Sequence, residues 1–382
     1  MTLTRFVTKN AFRNKRRSAL TVLSIAFSLL LLTLMMTIWH AFYLSNGSAE
    51  SAQRLVVRHR VSLTFSLPGY YREKIRAIPA VVSVVPISWF GGIYKDQKPE
   101  NFFAQFGTDP DEFFKTFRDL SMPEDEVKAW QRDRQGVIVD DFLANKYGWK
   151  LGDRIVLQGT IYPVNLELNI RGIFHSNPDN KSVYFNTKYV EEAVPFFKGQ
   201  AGTFFILSAS PSDVSTIAST VDNMFRNSPQ PTKSESEKAF GLEFVAMMGN
   251  VKAFILSICS AVVFATLLVA ANTMAMSIRE RTREVAVLKT LGFTRRGVLG
   301  LFVSEAVALA LAGGLIGASF GWMMVYGLTH SKRFISFFPM KVTPEIWMAA
   351  LITSGIVGLL SAAVPSYHAS KVNIVDGLRH IG

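Results

Sequence analysis

The sequence predicts an α-helical membrane protein with four transmembrane helices plus a large α+β extracytoplasmic domain inserted between helices 1 and 2. Three observations carry that reading. The chain has 382 residues, 49% of them apolar, and the apolar residues gather into four blocks. Lysine and arginine crowd the short segments beside those blocks. The long stretch between the first two blocks alternates strand-like and helix-like patterns with ordinary polar content.

The elements follow in order. Residues 1–17 set Leu3, Phe6, Val7 and Ala11 at helical spacing with Arg5, Lys9 and Arg13 on another face, which reads as a cytoplasmic amphipathic helix. A disordered basic arm is the alternative. Helix 1 covers 18–40: Ala19 to Trp39 holds no ionisable side chain, and at 1.5 Å per residue it reaches about 30 Å, the width of a bilayer core. Its apolar run exceeds the roughly 7–15 residues of a signal sequence, which favours a retained anchor. Ala253 to Ile278 is free of charge, Leu299 to Leu328 contains only Glu305, and Ile346 to Tyr367 contains none. A charge at mid-bilayer costs about 2.5–3.5 kcal/mol, so these are helix 2, helix 3 (298–328) and helix 4 (346–367).

Orientation comes from the basic residues. Six lie in the N-terminal arm, six in 279–297 (Arg279, Arg281, Arg283, Lys289, Arg295, Arg296) and two in the tail 368–382, whereas 329–345 carries Lys332, Arg333 and Lys341. The positive-inside rule then puts both termini and 279–297 in the cytoplasm, with 329–345 a short extracytoplasmic loop. The net charge of +12 is topological, because residues 41–250 hold 23 basic against 24 acidic side chains. Nucleic-acid binding is excluded, and some attraction to anionic membrane lipid is expected. The one cysteine, Cys259, lies inside helix 2, so the chain forms no internal disulfide or cysteine metal site.

The extracytoplasmic domain, 41–233, opens with Arg54 to Thr64, where Leu55, Val57, His59 and Val61 alternate with mostly polar neighbours as in a half-buried strand. A helix is expected near Tyr70 to Ala77, buried strands at Val81 to Ile87 and Thr203 to Ala209, and a helix from Ser212 to Arg226. These bracket an inserted α+β subdomain, about 88–195, with Gly136 to Val139 and the strand pair Arg154 to Gln158 and Asn165 to Ile173. Ser234-Glu-Ser-Glu237 has the form of a capping box. The helix it opens is expected to run as a stalk into helix 2 across 234–278, unless Gly249-Asn250 breaks it.

Helix 3 has Gly313, Gly317 and Gly321, and helix 4 has Ala350, Ser354, Gly358 and Ala362, all at four-residue spacing. Small residues let helices approach closely in lipid, within one subunit or between two. Asn272 and Glu305 are the polar intramembrane positions assigned a structural role. Glu305 lies within two turns of the cytoplasmic start of helix 3, where Arg295, Arg296 or Lys289 is the expected partner.

Catalytic signatures are missing. There is no G-x-x-x-x-G-K-[ST], H-E-x-x-H or G-x-S-x-G, and the histidines (40, 59, 175, 330, 368, 380) share no ligand spacing. A non-catalytic chain with no metal or cofactor of its own is expected. The carboxylate clusters Asp111-Glu112, Glu124-Asp-Glu126 and Asp140-Asp141 read as surface, since adjacent residues point apart.

The most informative stretch is Ile278-Arg-Glu-Arg-Thr-Arg-Glu-Val-Ala-Val-Leu-Lys-Thr-Leu-Gly292. Arg279, Glu280, Arg281, Arg283 and Glu284 crowd the first turns with opposite signs at helical spacing, and Val285, Leu288 and Leu291 or Gly292 share a face. Gly292 is a helix stop and Thr294 the next cap. The pattern alone fits either a docking helix, with Lys289 in its last turn, or a solvated connection.

Asn272 to Gly292, Phe302-Val-Ser-Glu305, the helix 3 glycines, Asn10 to Ser24 and Pro365 to Leu378 together resemble the permeases related to MacB, FtsX and the LolC and LolE lipoprotein-release subunits, the type VII ABC systems. The likeness covers both ends and the membrane half, and in the outer domain only Val139 to Phe174 shares it. It implies a permease dimer, homodimeric or a related heterodimer, over two copies of an ATPase subunit that hold ATP and Mg. The helix from Arg279 to Leu291 becomes the coupling helix on that ATPase. MacB carries its ATPase fused ahead of helix 1, so a separate ATPase polypeptide is expected here. The implied function is mechanotransmission from ATP hydrolysis to the outer domain, for export or extraction of a hydrophobic or peptidic substrate, with room for a periplasmic adaptor and an outer-membrane component. The alternative is an FtsX-like regulator that activates an extracytoplasmic partner such as a cell-wall hydrolase.

Overall fold

The computed structural model describes residues 15–44, 48, 50–176, 181–247, 249–330 and 340–371. Most of the amphipathic helix expected at 1–17, of the tail and of the loop 329–345 lies outside them, while Lys15 to Arg17 open the first long helix. Two compact units result, one of four long helices and one formed by the segment between the first and second of these.

The four helices are long and apolar enough to cross a membrane: Lys15–Leu44, Val251–Glu280, Arg295–Thr329 and Pro344–Lys371. The first ends in a π-turn, His40–Leu44. Ile25, Leu29, Leu32, Ala270, Ala310 and Val357 bring all four into one apolar cluster. The small residues work within the subunit. A Cβ on Gly317 would stand 2.3 Å from the Ala26 carbonyl oxygen, one on Gly313 would meet Ile25, and one on Gly358 would meet the backbone of Val307. Gly321 faces Thr33 of the first helix, and Ser354 sits against Gly314 and donates to the Ala310 carbonyl. The third helix is therefore in backbone contact with the first and the fourth. Trp322, Tyr326 and His330 stack at 5.5 and 4.0 Å along the exposed side of the last turns of the third helix, in the manner of a membrane-interface belt.

The inserted unit is a nine-stranded sheet. Its strands are β1 (Arg54–His59), β3 (Val81–Trp89), β4 (Ala104–Thr108), β5 (Gly136–Asp140), β6 (Arg154–Gln158), β7 (Asn165–Phe174), β8 (Ser182–Asn186), β10 (Thr203–Ser208) and β11 (Thr232–Ser236). They lie in the order β11-β1-β10-β3-β4-β8-β5-β7-β6, with β2 (Leu67–Pro68) and β9 (Gln200–Ala201) paired separately. Only β4–β8 and β5–β7 are parallel. The inserted part shares this sheet: β3 joins β4 through Ile87↔Thr108, Ser88↔Gly107 and Trp89↔Phe106.

Helices cover both faces, and the middle strands are buried on both sides. Helices Tyr71–Arg76 and Val214–Met224 pack on one face through Ile75, Ile217, Val221 and Phe225, with Tyr71 stacked on Phe225 at 3.8 Å. Helices Pro110–Thr116 and Glu124–Arg132 bring Phe113, Phe117 and Trp130 against Val85, Ile138 and Tyr184. The acidic pairs open these helices, where carboxylates complement the dipole.

Three expectations fail here. Asp140, read as surface, is fully buried and accepts from the Ser176 hydroxyl and the Lys181 N–H. Strand β1 is buried at all six positions, because β10 and β11 flank it and Arg54 and Arg58 are drawn into ion pairs with Asp119, Glu235, Glu237 and Glu243. The unbroken stalk over 234–278 is also absent. Thr232–Ser236 is taken as a strand by the backbone of β1, the helix Glu237–Met247 starts with Ser236 Oγ accepting from Ala239 N–H, and Gly249 at φ +93 stops it. Asn250 then caps the second membrane helix at Ala253 N–H. Open edge groups on β1 outweigh the local capping pattern.

Candidate functional site

The connection between the second and third membrane helices is a nine-residue helix, Thr282–Thr290. Arg281, with φ −105 and ψ 14, breaks the second membrane helix from it. Gly292, at φ +94, ends it, and Thr294 Oγ1 caps the third membrane helix at Gly297 N–H. The stop and the cap are local chemistry, with glycine taking a left-handed backbone that a side chain would strain.

One face of this helix points inward. Val285 is fully buried, and it packs with Ile278, Val298, Phe302 and Ala369. Arg281 donates to Glu305 at 2.7 Å and to Glu284 at 3.1 Å, and its guanidinium lies 5.5 Å from the centre of the Phe302 ring. The side chains of Arg281 and Glu305 are 12% and 6% exposed, so this pair is internal. Burial would lower the Arg281 pKa, but the charges of Glu305 and Glu284 overcome that and raise it. Lys289 Nζ donates to the Ser370 carbonyl at 2.7 Å, which ties the far end of the helix to the fourth membrane helix. Arg17 of the first membrane helix holds Glu280 with both nitrogens of its fork.

The other face is open. Arg279 and Arg283 are exposed, and so are three apolar side chains: Val287 at 44%, Leu291 at 72% and Phe293 at 47%. Apolar side chains left uncovered in a basic surround are the composition of a docking face, in which a few anchors carry the energy. Among the described residues no group of His, Cys, Asp and Glu is placed to hold a metal ion.

Comparison with known proteins identifies the architecture. The chain is 21% identical to the uncharacterized ABC transporter permease MJ1507 of Methanocaldococcus jannaschii over 98% of its length and 96% of the relative's. It is 31% identical to the uncharacterized ABC transporter permease YknZ of Bacillus subtilis, over 36% of the chain and 35% of YknZ. A further match, 34% identical, is the macrolide export ATP-binding/permease protein MacB of Chromobacterium violaceum, over 28% of the chain and 16% of MacB. The matched stretches thus span about a third or less of YknZ and MacB. The family model for the MacB-like periplasmic core domain matches residues 18–224, more than half of the chain, and that for the FtsX-like permease C-terminal matches residues 255–374. The chain belongs to the MacB/FtsX-type ABC transporter permeases.

Among solved structures, this permease is similar to the periplasmic region of MacB from Actinobacillus actinomycetemcomitans, at 11% identity and TM-score 0.38 over 52% of the chain and 93% of that region. Within the permease the residues singled out in sequence take different places. Arg281, Glu284 and Glu305 meet, so the partner of Glu305 is Arg281 and not Arg295, Arg296 or Lys289. The break at Arg281 turns its side chain back along the third membrane helix. Val285, expected to share a face with Leu291, lies on the opposite, buried side, and Leu288 is half-buried between the two. Asn272 is exposed on the second membrane helix, away from the Arg281 network. Val287, Phe293 and Arg17 were missed. Val287 lies four residues before Leu291, so helical spacing could have found it; Phe293 falls beyond the turn at Gly292, and Arg17 pairs with a residue 263 positions away.

Proposed function

We propose that this chain is the permease subunit of an ABC transporter that couples ATP hydrolysis by a separate ATPase to motion of the inserted domain, moving a hydrophobic or peptidic substrate outside the cytoplasmic membrane. The observation that carries the reading is the two-sided connecting helix: Arg279, Arg283, Val287, Leu291 and Phe293 are free to meet a partner, while Val285, Arg281 and Lys289 fix the opposite side to the third and fourth membrane helices. A push on the open face is thereby delivered to the bundle. The third helix, in backbone contact with the first, passes it to the segment that leads into the inserted domain.

The partner is an ATPase carrying ATP and Mg, two copies beneath two permease chains, with both termini and residues 279–297 in the cytoplasm, the side that the basic residues favour. ATP shifts the outer domain only if it binds one state of the assembly more tightly than the other. An adaptor and an outer-membrane component fit an export role.

A tagged chain purified from its native membrane tests this directly. Recovery of an ATPase with the parent chain, about tenfold less with Leu291→Asp, is the expected result; a parent chain that brings down no ATPase sinks the reading. ATP turnover raised by a transported compound supports transport, whereas activation of an external hydrolase without it turns the reading to the regulatory alternative.

A further inference from the structure

We propose that Arg281 is a positioning residue that latches the coupling helix onto the third membrane helix through Glu305, so that breaking the pair leaves the ATPase bound but disconnects it from the inserted domain. This rests on the docking reading above and adds what the opposite face of that helix does.

The geometry separates holding from docking. Arg281 stands at the break between the second membrane helix and the connecting helix. Its fork spans two elements: Nη1 bonds Glu305, ten residues into the third membrane helix, and Nε bonds Glu284 on the connecting helix itself. Phe302, one turn before Glu305, lies beneath the guanidinium. All of this is turned away from the open face of Arg283, Val287 and Leu291. Two hydrogen-bonded carboxylates need a planar fork, which a lysine does not supply.

A push arriving at the open face has three non-covalent routes inward from the connecting helix, apart from the Arg17–Glu280 pair at the end of the second membrane helix. The apolar contact of Val285 has no direction along the helix, and Lys289 holds the Ser370 backbone by one bond. The Arg281 pair is the directional joint at the start of the connecting helix. It engages the one membrane helix that touches the first through glycine contacts at Gly313, Gly317 and Gly321. A buried pair contributes less to stability than to fixing one arrangement, the property a transmission joint needs.

The test uses the full chain with its ATPase in lipid nanodiscs. Two quantities are measured: ATPase retained on the tagged chain, and the difference in hydrogen exchange of the inserted domain between nucleotide-free and vanadate-trapped states. Glu305→Gln keeps the side-chain shape and removes the charge. ATPase retention within twofold of the parent, together with a loss of about tenfold in the exchange difference, is the expected result. Arg281→Lys is expected to lose part of the difference, and the double variant Arg281→Gln/Glu305→Gln no more than either single one, as a shared joint requires. An unchanged exchange difference in Glu305→Gln overturns the latch alone. So does loss of ATPase from that variant, which makes the pair part of the docking face. A parent chain that retains no ATPase overturns the docking reading first and the latch with it.

Discussion

Arg54 and Asp119, 65 positions apart in the chain, are joined by two hydrogen bonds of 2.6 and 2.9 Å. Arg54 is 2% exposed and also donates to Glu237 at 2.6 Å. It therefore ties β1 both to the loop after the Pro110–Thr116 helix and to the first residue of the Glu237–Met247 helix. Removing it strands two carboxylates in a confined space, so Arg54→Ala is expected to cost about 3–5 kcal/mol. Thermal unfolding of the full chain in detergent, followed by tryptophan fluorescence, checks this; a change below about 1 kcal/mol would refute it.

The same cluster predicts a response to acid. Burial pushes the Asp119 carboxyl up, but hydrogen bonds and charge from Arg54, with the Ser48 hydroxyl, outweigh it and hold the group below its ordinary value of 3.8. A depressed carboxylate stabilises the fold above its unfolded value, and that stability is lost as pH falls through the folded one. Glu237 goes the other way: burial raises it despite Arg54, so it takes a proton earlier on acidification and its effect is spent before Asp119 titrates. Loss of stability below about pH 4, shallower in Asp119→Asn, is the expected outcome in a pH series of melting curves.

In the membrane unit, Gly317→Val drives a branched side chain into the Ala26 backbone of the first helix. Overpacking of this kind costs about 1–3 kcal/mol. Gly355→Ala, with nothing within 4 Å of its added carbon, serves as the control and is expected to be neutral. Melting in detergent distinguishes them, and equal effects at the two sites would count against the packing described.

Val285→Asp and Leu291→Asp should part company. The first buries a charge among Ile278, Val298 and Phe302 and is expected to destabilise by roughly 3 kcal/mol or more. The second places a charge on an open face and is expected to leave the melting temperature unchanged while weakening ATPase capture. Measuring both quantities on both variants settles whether the two residues lie on opposite sides of the helix.

Much of the architecture was legible because membrane spans and helix ends are local matters. Charge-free runs between Ala19 and Trp39 or Ala253 and Ile278 announce themselves to anything that reads hydropathy, and Gly292 and Thr294 end one helix and start the next by their own backbone chemistry. The family was legible in Asn272 to Gly292 for the same reason. The outer domain was less so. β4 and β8, though as long as β5 and β6, mix polar residues such as Gln105, Thr108, Ser182 and Asn186 into buried positions and show no clean apolar pattern, and Ser234 to Ser236, which look like a helix cap, become a strand because β1 offers them an edge.

The sequence by itself determined four apolar spans, a large domain between the first two, and a charged connecting helix between the second and third. Only the tertiary structure decided that Glu305 pairs with Arg281, that Val285 faces inward while Leu291 faces out, and that the glycines of the third helix serve contacts within one subunit. The physical reason is range. Hydropathy and capping act over a few neighbouring residues, whereas an ion pair, a buried face or a glycine contact depends on which distant segment arrives opposite, and that is fixed only when the whole chain packs.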